Sequence, residues 1–171
     1  NAYGELLFFR ATQDTETYAK NRSIYETVVL PPGSGMDTVY VERTPALRLQ
    51  AKEVESVLIE KRPMYTDTQT AVEEALGLRS TKEGKDKKDR IAAYYFTATF
   101  SLSGRGAKQF TAFAKEHDGQ LVDLRIKTRR VAVLKLRGPF GGNVISALLR
   151  ENDVNRLKEI FAEVKDKVTW K

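Results

Sequence analysis

The sequence predicts an α+β fold in which helices pack on one face of a mostly antiparallel sheet. Two observations predict this class. Short segments that alternate apolar and polar residues outnumber the helical segments, and each helical segment carries one apolar stripe. The clearest region runs from Ile91 to Val164, where the pattern indicates the order β-α-β-β-(β)-α.

The first strand and helix of this region have clear boundaries. From Tyr94 to Ser101, apolar and mixed positions alternate, so one strand face can be buried. Ser103 stands where a helix N-cap is expected, and Gly119 is placed to adopt the left-handed conformation beyond the helix end. The helix between them carries an apolar stripe made of Ala107, Phe110, Phe113 and Ala114.

The rest of the region predicts three more strands and a last helix. Two β segments cover Gln120–Ile126 and Arg129–Leu136, and a short apolar strand covers Asn143–Leu148. Asn152 is expected to cap the last helix. The apolar stripe of that helix consists of Val154, Leu157, Ile160, Phe161 and Val164.

The N-terminal part is predicted to be rich in strands. Gly4 to Ala11 reads as a buried strand, and Ile24–Leu30 should pair with Asp37–Arg43 as a hairpin. A helical turn within Ala51–Ser56 should precede a short strand over Val57–Glu60. A helix over 68–76 is expected to turn Val72, Ala75 and Leu76 inward.

Three sequence regions follow from these patterns. Residues 3–79 form the β-rich N-terminal part, and residues 91–168 form the α+β module. Residues 80–90 are the most polar stretch, with mixed charge signs, and are interpreted as a solvated linker or loop between the two.

Composition argues against an enzyme. The chain has 171 residues, no cysteine, and His117 as its only histidine. A thiol nucleophile, a disulfide scaffold and cysteine metal sites are therefore excluded, and no catalytic constellation can be assembled around one histidine at a predicted helix end. We expect no cofactor, no metal site and no catalytic residue.

Two features are candidates for binding a partner. Arg125, Lys127 and Arg129 are predicted to project from one strand face, opposite Leu124 and Ile126. This basic set is either the solvent-exposed face of a sheet that is buried on its other face, or a docking surface for an acidic peptide or anionic lipid headgroups. Nucleic acid is not favoured, because the sequence places no stacking aromatics on these strands.

The second feature is the turn between the last two strands. Within it, Phe140 is followed by Gly141 and Gly142, so backbone and ring can both be exposed. Phe140 either contacts a partner or folds back into the core.

Several segments resemble the SecD family of the bacterial protein-export machinery. The segment from Phe100 to Phe110, FSLSGRGAKQF, is similar to the family's strand, polar turn, Gly-Ala and Phe-containing helix. Gly141 to Ala147, GGNVISA, resembles its Gly-rich turn and Ile-Ser strand, and the helix from Asn152 matches its final helix. Upstream, 38–47 and 53–56 resemble the segment that enters this module.

The chain also departs from the family at two places. Lys127-Thr128-Arg129-Arg130 stands where the family usually has an Asp-Gly turn, and Ala132 to Lys135 replaces a Ser-Ala-Pro-like segment.

The resemblance implies the head part of the first extracytoplasmic domain of an export subunit, without an active site. Our leading hypothesis is that it engages polypeptide or another envelope component, in a full-length protein anchored in the membrane. One alternative is a stand-alone exported or lipoprotein interaction module, and another is a basic nucleic-acid-binding domain. The net charge of +6 also suits encounters with an anionic membrane surface.

Overall fold

The computed structural model describes residues 4–30, 36–66, 68–77, 91–138, 143–160 and 168–171. It confirms the predicted α+β class with mostly antiparallel pairing. The strands are β1 (Leu6–Thr12), β2 (Tyr25–Val29), β3 (Thr38–Glu42), β4 (Leu47–Leu49), β5 (Val54–Tyr65), β6 (Ile91–Leu102), β7 (Leu121–Ile126), β8 (Arg129–Lys135), β9 (Val144–Arg150) and β10 (Val168–Trp170). The helices are α1 (Thr15–Lys20), α2 (Thr68–Ala75), α3 (Gly104–Glu116) and α4 (Glu151–Ile160).

The strands form two sheets. The first has the order β2-β3-β1-β7-β8, and β4 also pairs with β1. The second has the order β10-β5-β6-β9, in which β10 is parallel to β5 and the other pairs are antiparallel. Each sheet therefore combines strands from the N-terminal and C-terminal parts of the sequence.

The main core lies between the two sheets and includes residues of α3 and α4. Phe8 of β1, Phe100 of β6 and Leu157 of α4 are all fully buried in it. The ring of Phe8 lies 5.5 Å from Phe110 and 6.0 Å from Phe113, which fixes α3 against β1. A smaller apolar cluster occupies the opposite face of the first sheet and contains Phe9, Ala11, Val28, Val39 and Val41.

The start of α3 is tied to the second sheet. Ser103 is its N-cap, as predicted, and the Ser103 Oγ accepts a hydrogen bond of 3.2 Å from the Gly106 N–H. The same hydroxyl donates to the Glu53 carboxylate, and the Ser103 N–H donates to the Glu53 carbonyl at 2.8 Å. At the far end, Gly119 adopts the predicted left-handed conformation with φ of 82°.

Other local predictions have mixed outcomes. The hairpin of β2 and β3 and the strands β7 and β8 are confirmed, and a 3-10 turn covers Ala51–Glu53. The strand predicted over 57–60 is longer, because β5 pairs with the twelve residues of β6 along its whole length. The last helix begins at Glu151, one residue before the predicted cap.

The predicted orientation of α2 is wrong. The helix forms, but Val72, Ala75 and Leu76 are exposed, and among the helix residues whose burial is described only Glu73 is buried. The boundary regions 3–79, 80–90 and 91–168 stay a prediction, and residues 80–90 lie outside the described residues.

Candidate partner-binding surfaces

The predicted basic set does not form one strand face. Lys127 lies in the two-residue turn between β7 and β8, where its φ is 57°, so its placement on a strand was wrong. Arg129 contacts the Glu159 carboxylate of α4 at 3.5 Å. Arg125 turns instead to a buried carboxylate on its own strand.

That carboxylate, Asp123, offsets one of the four positive charges of β7 and β8 and binds two of their arginines. Its side chain is fully buried and accepts 2.8 Å hydrogen bonds from the Nε atoms of both Arg125 and Arg130. Arg125 also lies over the Phe9 ring, 4.5 Å from its centre, so an aromatic side chain does accompany these strands. The cluster is a satisfied structural unit, and its arginines are committed to Asp123.

The partner-binding role predicted for the turn with Phe140 stays a prediction. Phe140, Gly141 and Gly142 lie outside the described residues. His117 ends α3, where its Nδ1 lies 3.1 Å from the Gln120 Oε1. Within the described part of the chain, no group of three His, Asp or Glu side chains is arranged to hold a metal ion, and no helix is long and apolar enough to cross a membrane.

Among the described residues, the outer face of the second sheet is mostly uncharged and is exposed at its β9 end. On β5, β6 and β9, buried residues alternate with exposed or half-buried ones, and the side chains of the latter point away from the core. We call it the neutral face, and it consists of Ser56, Leu58, Thr97, Thr99, Ser101, Val144, Ser146, Leu148 and Thr169.

The registers bring these residues into cross-strand rows. Thr99 of β6 stands between Leu58 and Ser146, and Leu58 also pairs with Thr169. Exposures of 50% for Val144 and 67% for Leu148 show that no described element covers the β9 end of the face. Glu60 lies beyond Leu58 on the same side of β5 and pairs with Thr97, so one charged residue stands in the row of Thr97 and Leu148.

The neutral face ends at an edge strand. Among the described strands, β9 is hydrogen-bonded only to β6, so it closes the sheet order on that side, and β8 of the first sheet lies close to it without pairing. An edge strand presents backbone N–H and C=O groups to which another extended chain can bind. The β9 side chains on the exposed side are Val144, Ser146 and Leu148, which alternate with the buried Ile145, Ala147 and Leu149.

A polar cleft lies at a different place, where β1 ends. It has a volume of about 590 Å³ and is bordered by the end of β8, the start of β7 and α1. Its lining includes Arg10, Glu42 and Lys135 among uncharged residues. The sequence predicts neither the cleft nor the neutral face, because each surface is formed by residues of strands that lie far apart in the chain.

Together, the fold and these surfaces define an α+β domain with an uncovered neutral sheet face. Among solved structures, a SecDF membrane component that enhances protein export aligns with 92% of this chain and 91% of its own, at 12% identity and a TM-score of 0.33. A crystal structure of SecDF in a super-membrane-facing form aligns with 94% of this chain, which spans 28% of that protein, at 14% identity and a TM-score of 0.33. No protein-family model and no curated protein matches the chain. TM-scores at this level do not establish a common fold, so the proposals below rest on the geometry of this chain.

Proposed function

We propose that this chain is a non-enzymatic domain that binds extended polypeptide on its neutral face, beside the β9 edge. The observation that carries the proposal is that nine of the ten outward positions in these three cross-strand rows are uncharged, with Glu60 as the tenth, in a chain in which 30% of residues are charged. Outward faces of exposed sheets usually carry charged side chains, whereas the centres of protein interfaces are depleted of them.

The geometry favours an extended chain as the occupant. A peptide added beside β9 can form main-chain hydrogen bonds, and its alternate side chains then meet the exposed Val144, Ser146 and Leu148. The hydroxyls of Thr97 and Thr99 lie one strand further in and can bond polar groups of a bulkier partner. Because this binding uses backbone and uncharged side chains, it suits many sequences, as a translocating polypeptide requires.

The neutral face argues against the nucleic-acid alternative. Phosphate recognition needs lysines or arginines at the surface, and the nine residues of the neutral face include none. The neighbouring Arg62 is paired with Glu60. Arg125, the arginine of β7 that was a candidate for phosphate binding, is bonded to Asp123. The SecD-like sequence segments supply the proposed setting, which is an extracytoplasmic role in protein export.

The proposal is tested by titrating a labelled, unfolded model preprotein with the domain and measuring fluorescence anisotropy. The variant Val144→Lys with Leu148→Lys places two charges on the neutral face. We expect its affinity to fall at least about tenfold, because desolvating each ammonium opposes contact with the peptide. The affinity of the unaltered domain should change little between low and moderate salt.

The chain offers a matched control. Ile24→Lys with Val29→Lys adds the same two charges at aliphatic residues that are 47% and 78% exposed in or beside β2. This control should bind as the unaltered domain does. Equal loss in both variants, or no loss in the first, would remove the neutral face from the proposal. Binding that weakens steeply with salt and is lost in Arg125→Glu with Lys127→Glu would support an ionic partner instead.

A further inference from the structure

The cleft at the end of β1 contains a buried cationic atom without a hydrogen-bond partner. The Nε of Arg10 is buried, and no described group accepts its hydrogen. Buried polar atoms in native proteins nearly always have a partner, so an exception requires an explanation. The guanidinium does contact a carboxylate, but the Arg10 Nη1 lies 3.6 Å from the Glu42 Oε1, beyond the usual 2.7–2.9 Å of a charge-assisted hydrogen bond.

Further donors surround the same space. Lys135, at the end of β8, is exposed and forms no ion pair with a described acidic residue. Gln13 and Gln120 add side-chain amides to the lining. With Arg10 and Lys135 against Glu42, the charged lining has one net positive charge.

One neighbouring hydroxyl is already occupied. Thr17 Oγ1 donates to the Asp14 carboxylate at 2.7 Å, and this bond, with that from the Glu16 N–H, lowers the pKa of Asp14. Asp14 is therefore ionised at neutral pH, and its carboxylate accepts the hydrogen bond of the Thr17 hydroxyl. The side-chain donors left for an anion are those of Arg10, Lys135 and the two glutamines, together with the hydroxyls of Thr12 and Tyr25.

We propose that this cleft binds a carboxylate carried on a short aliphatic group, such as the last residue of a polypeptide. The carboxylate would contact the guanidinium of Arg10 and the ammonium of Lys135, which both line the cleft. Ala11, Met36 and Leu121 provide apolar lining for the aliphatic part. A volume of about 590 Å³ lies within the usual 300–1,000 Å³ of small-ligand sites. This inference does not depend on the function proposed for the neutral face.

Matched small ligands test the site directly. N-acetyl-leucine carries the carboxylate and the aliphatic group, whereas N-acetyl-leucinamide lacks only the charge. NMR titration of the domain should show saturable shifts with the acid, centred on Arg10, Gln120 and Lys135, and at least tenfold weaker binding of the amide. N-acetyl-aspartyl amide serves as a third ligand, since its relative affinity separates a chain terminus from an acidic side chain.

Two variants should lose the acid's binding. Arg10→Gln removes the central cation, and Lys135→Gln removes an exposed one whose loss is compatible with folding even if the first variant unfolds. Arg48→Gln, which removes an exposed cation paired with Glu5, is the control and should bind normally. Equal binding of acid and amide, or unchanged binding in Lys135→Gln, would overturn the proposal.

Discussion

At the scale of single residues, the junction of Glu53, Ser103 and Gly106 shows how closely α3 approaches the second sheet. Glu53 is buried beside the helix start, and it bonds Ser103 through both its side chain and its carbonyl. A Cβ at Gly106 would lie 2.9 Å from the Glu53 Cβ and 3.3 Å from its carbonyl oxygen. Only glycine fits here without a shift of the backbone.

Gly106→Ala should therefore destabilise the protein. We expect the free energy of unfolding to fall by about 1–3 kcal/mol, because the added methyl overpacks a tight contact. Gly104→Ala is the control in the same helical turn, since a Cβ there meets nothing within 4 Å. Urea unfolding of both variants measures the difference. If the two variants were equally stable, the close approach would not limit this position.

The sequence predicts one half of this junction. Ser103 is recognisable as a cap because the signal is local: a short hydroxyl residue precedes a helical stripe. Glu53 lies 50 positions away, and nothing in its own surroundings indicates a buried carboxylate. The same limit applies to Asp123, whose two arginine partners made β7 and β8 look more basic than they are.

At the scale of elements, the turn between β7 and β8 carries backbone strain. Lys127 is the one described residue other than glycine with positive φ. The left-handed conformation costs most L-residues roughly 1–2 kcal/mol, and asparagine tolerates it better.

Lys127→Asn should raise the free energy of unfolding by up to about 1 kcal/mol, because the strain is reduced while the turn is kept. Thr128→Asn is the control, since Thr128 does not have positive φ, and it should give no gain. Thermal unfolding compares the two variants. A decrease in the melting temperature of Lys127→Asn would show that contacts of the lysine side chain outweigh the strain.

The sequence predicts which segments form helices and strands better than it predicts which face of each is buried. The periodicity of α2 predicted a helix, but periodicity alone does not say which neighbours it meets, and Val72 and Leu76 face solvent. The second half of β5 was not predicted, because the strand pattern is interrupted by the charged residues Lys61 and Arg62. Pairing with β6 supplies the backbone hydrogen bonds that their side chains do not predict.

At the scale of the whole molecule, the neutral face arises from the assembly of four strands. Each hydroxyl residue on it is unremarkable in sequence, and Ser56, Thr99 and Ser146 come from separate regions. Their alignment depends on β5 and β9 both pairing with β6, while β7, only one helix further along, joins the other sheet. Sequence patterns predict where strands occur, but they do not predict to which of the two sheets each strand belongs.

The most direct test of polypeptide binding is amide hydrogen exchange, with and without a saturating unfolded polypeptide. Alternate backbone N–H groups of an edge strand point outward, and a bound strand would protect them. We predict slower exchange of amides within Val144–Arg150 and no change in Tyr25–Val29, the edge strand β2 of the first sheet. Protection confined to β2 or to the β7–β8 turn, or no protection at saturation, would contradict binding at the neutral face.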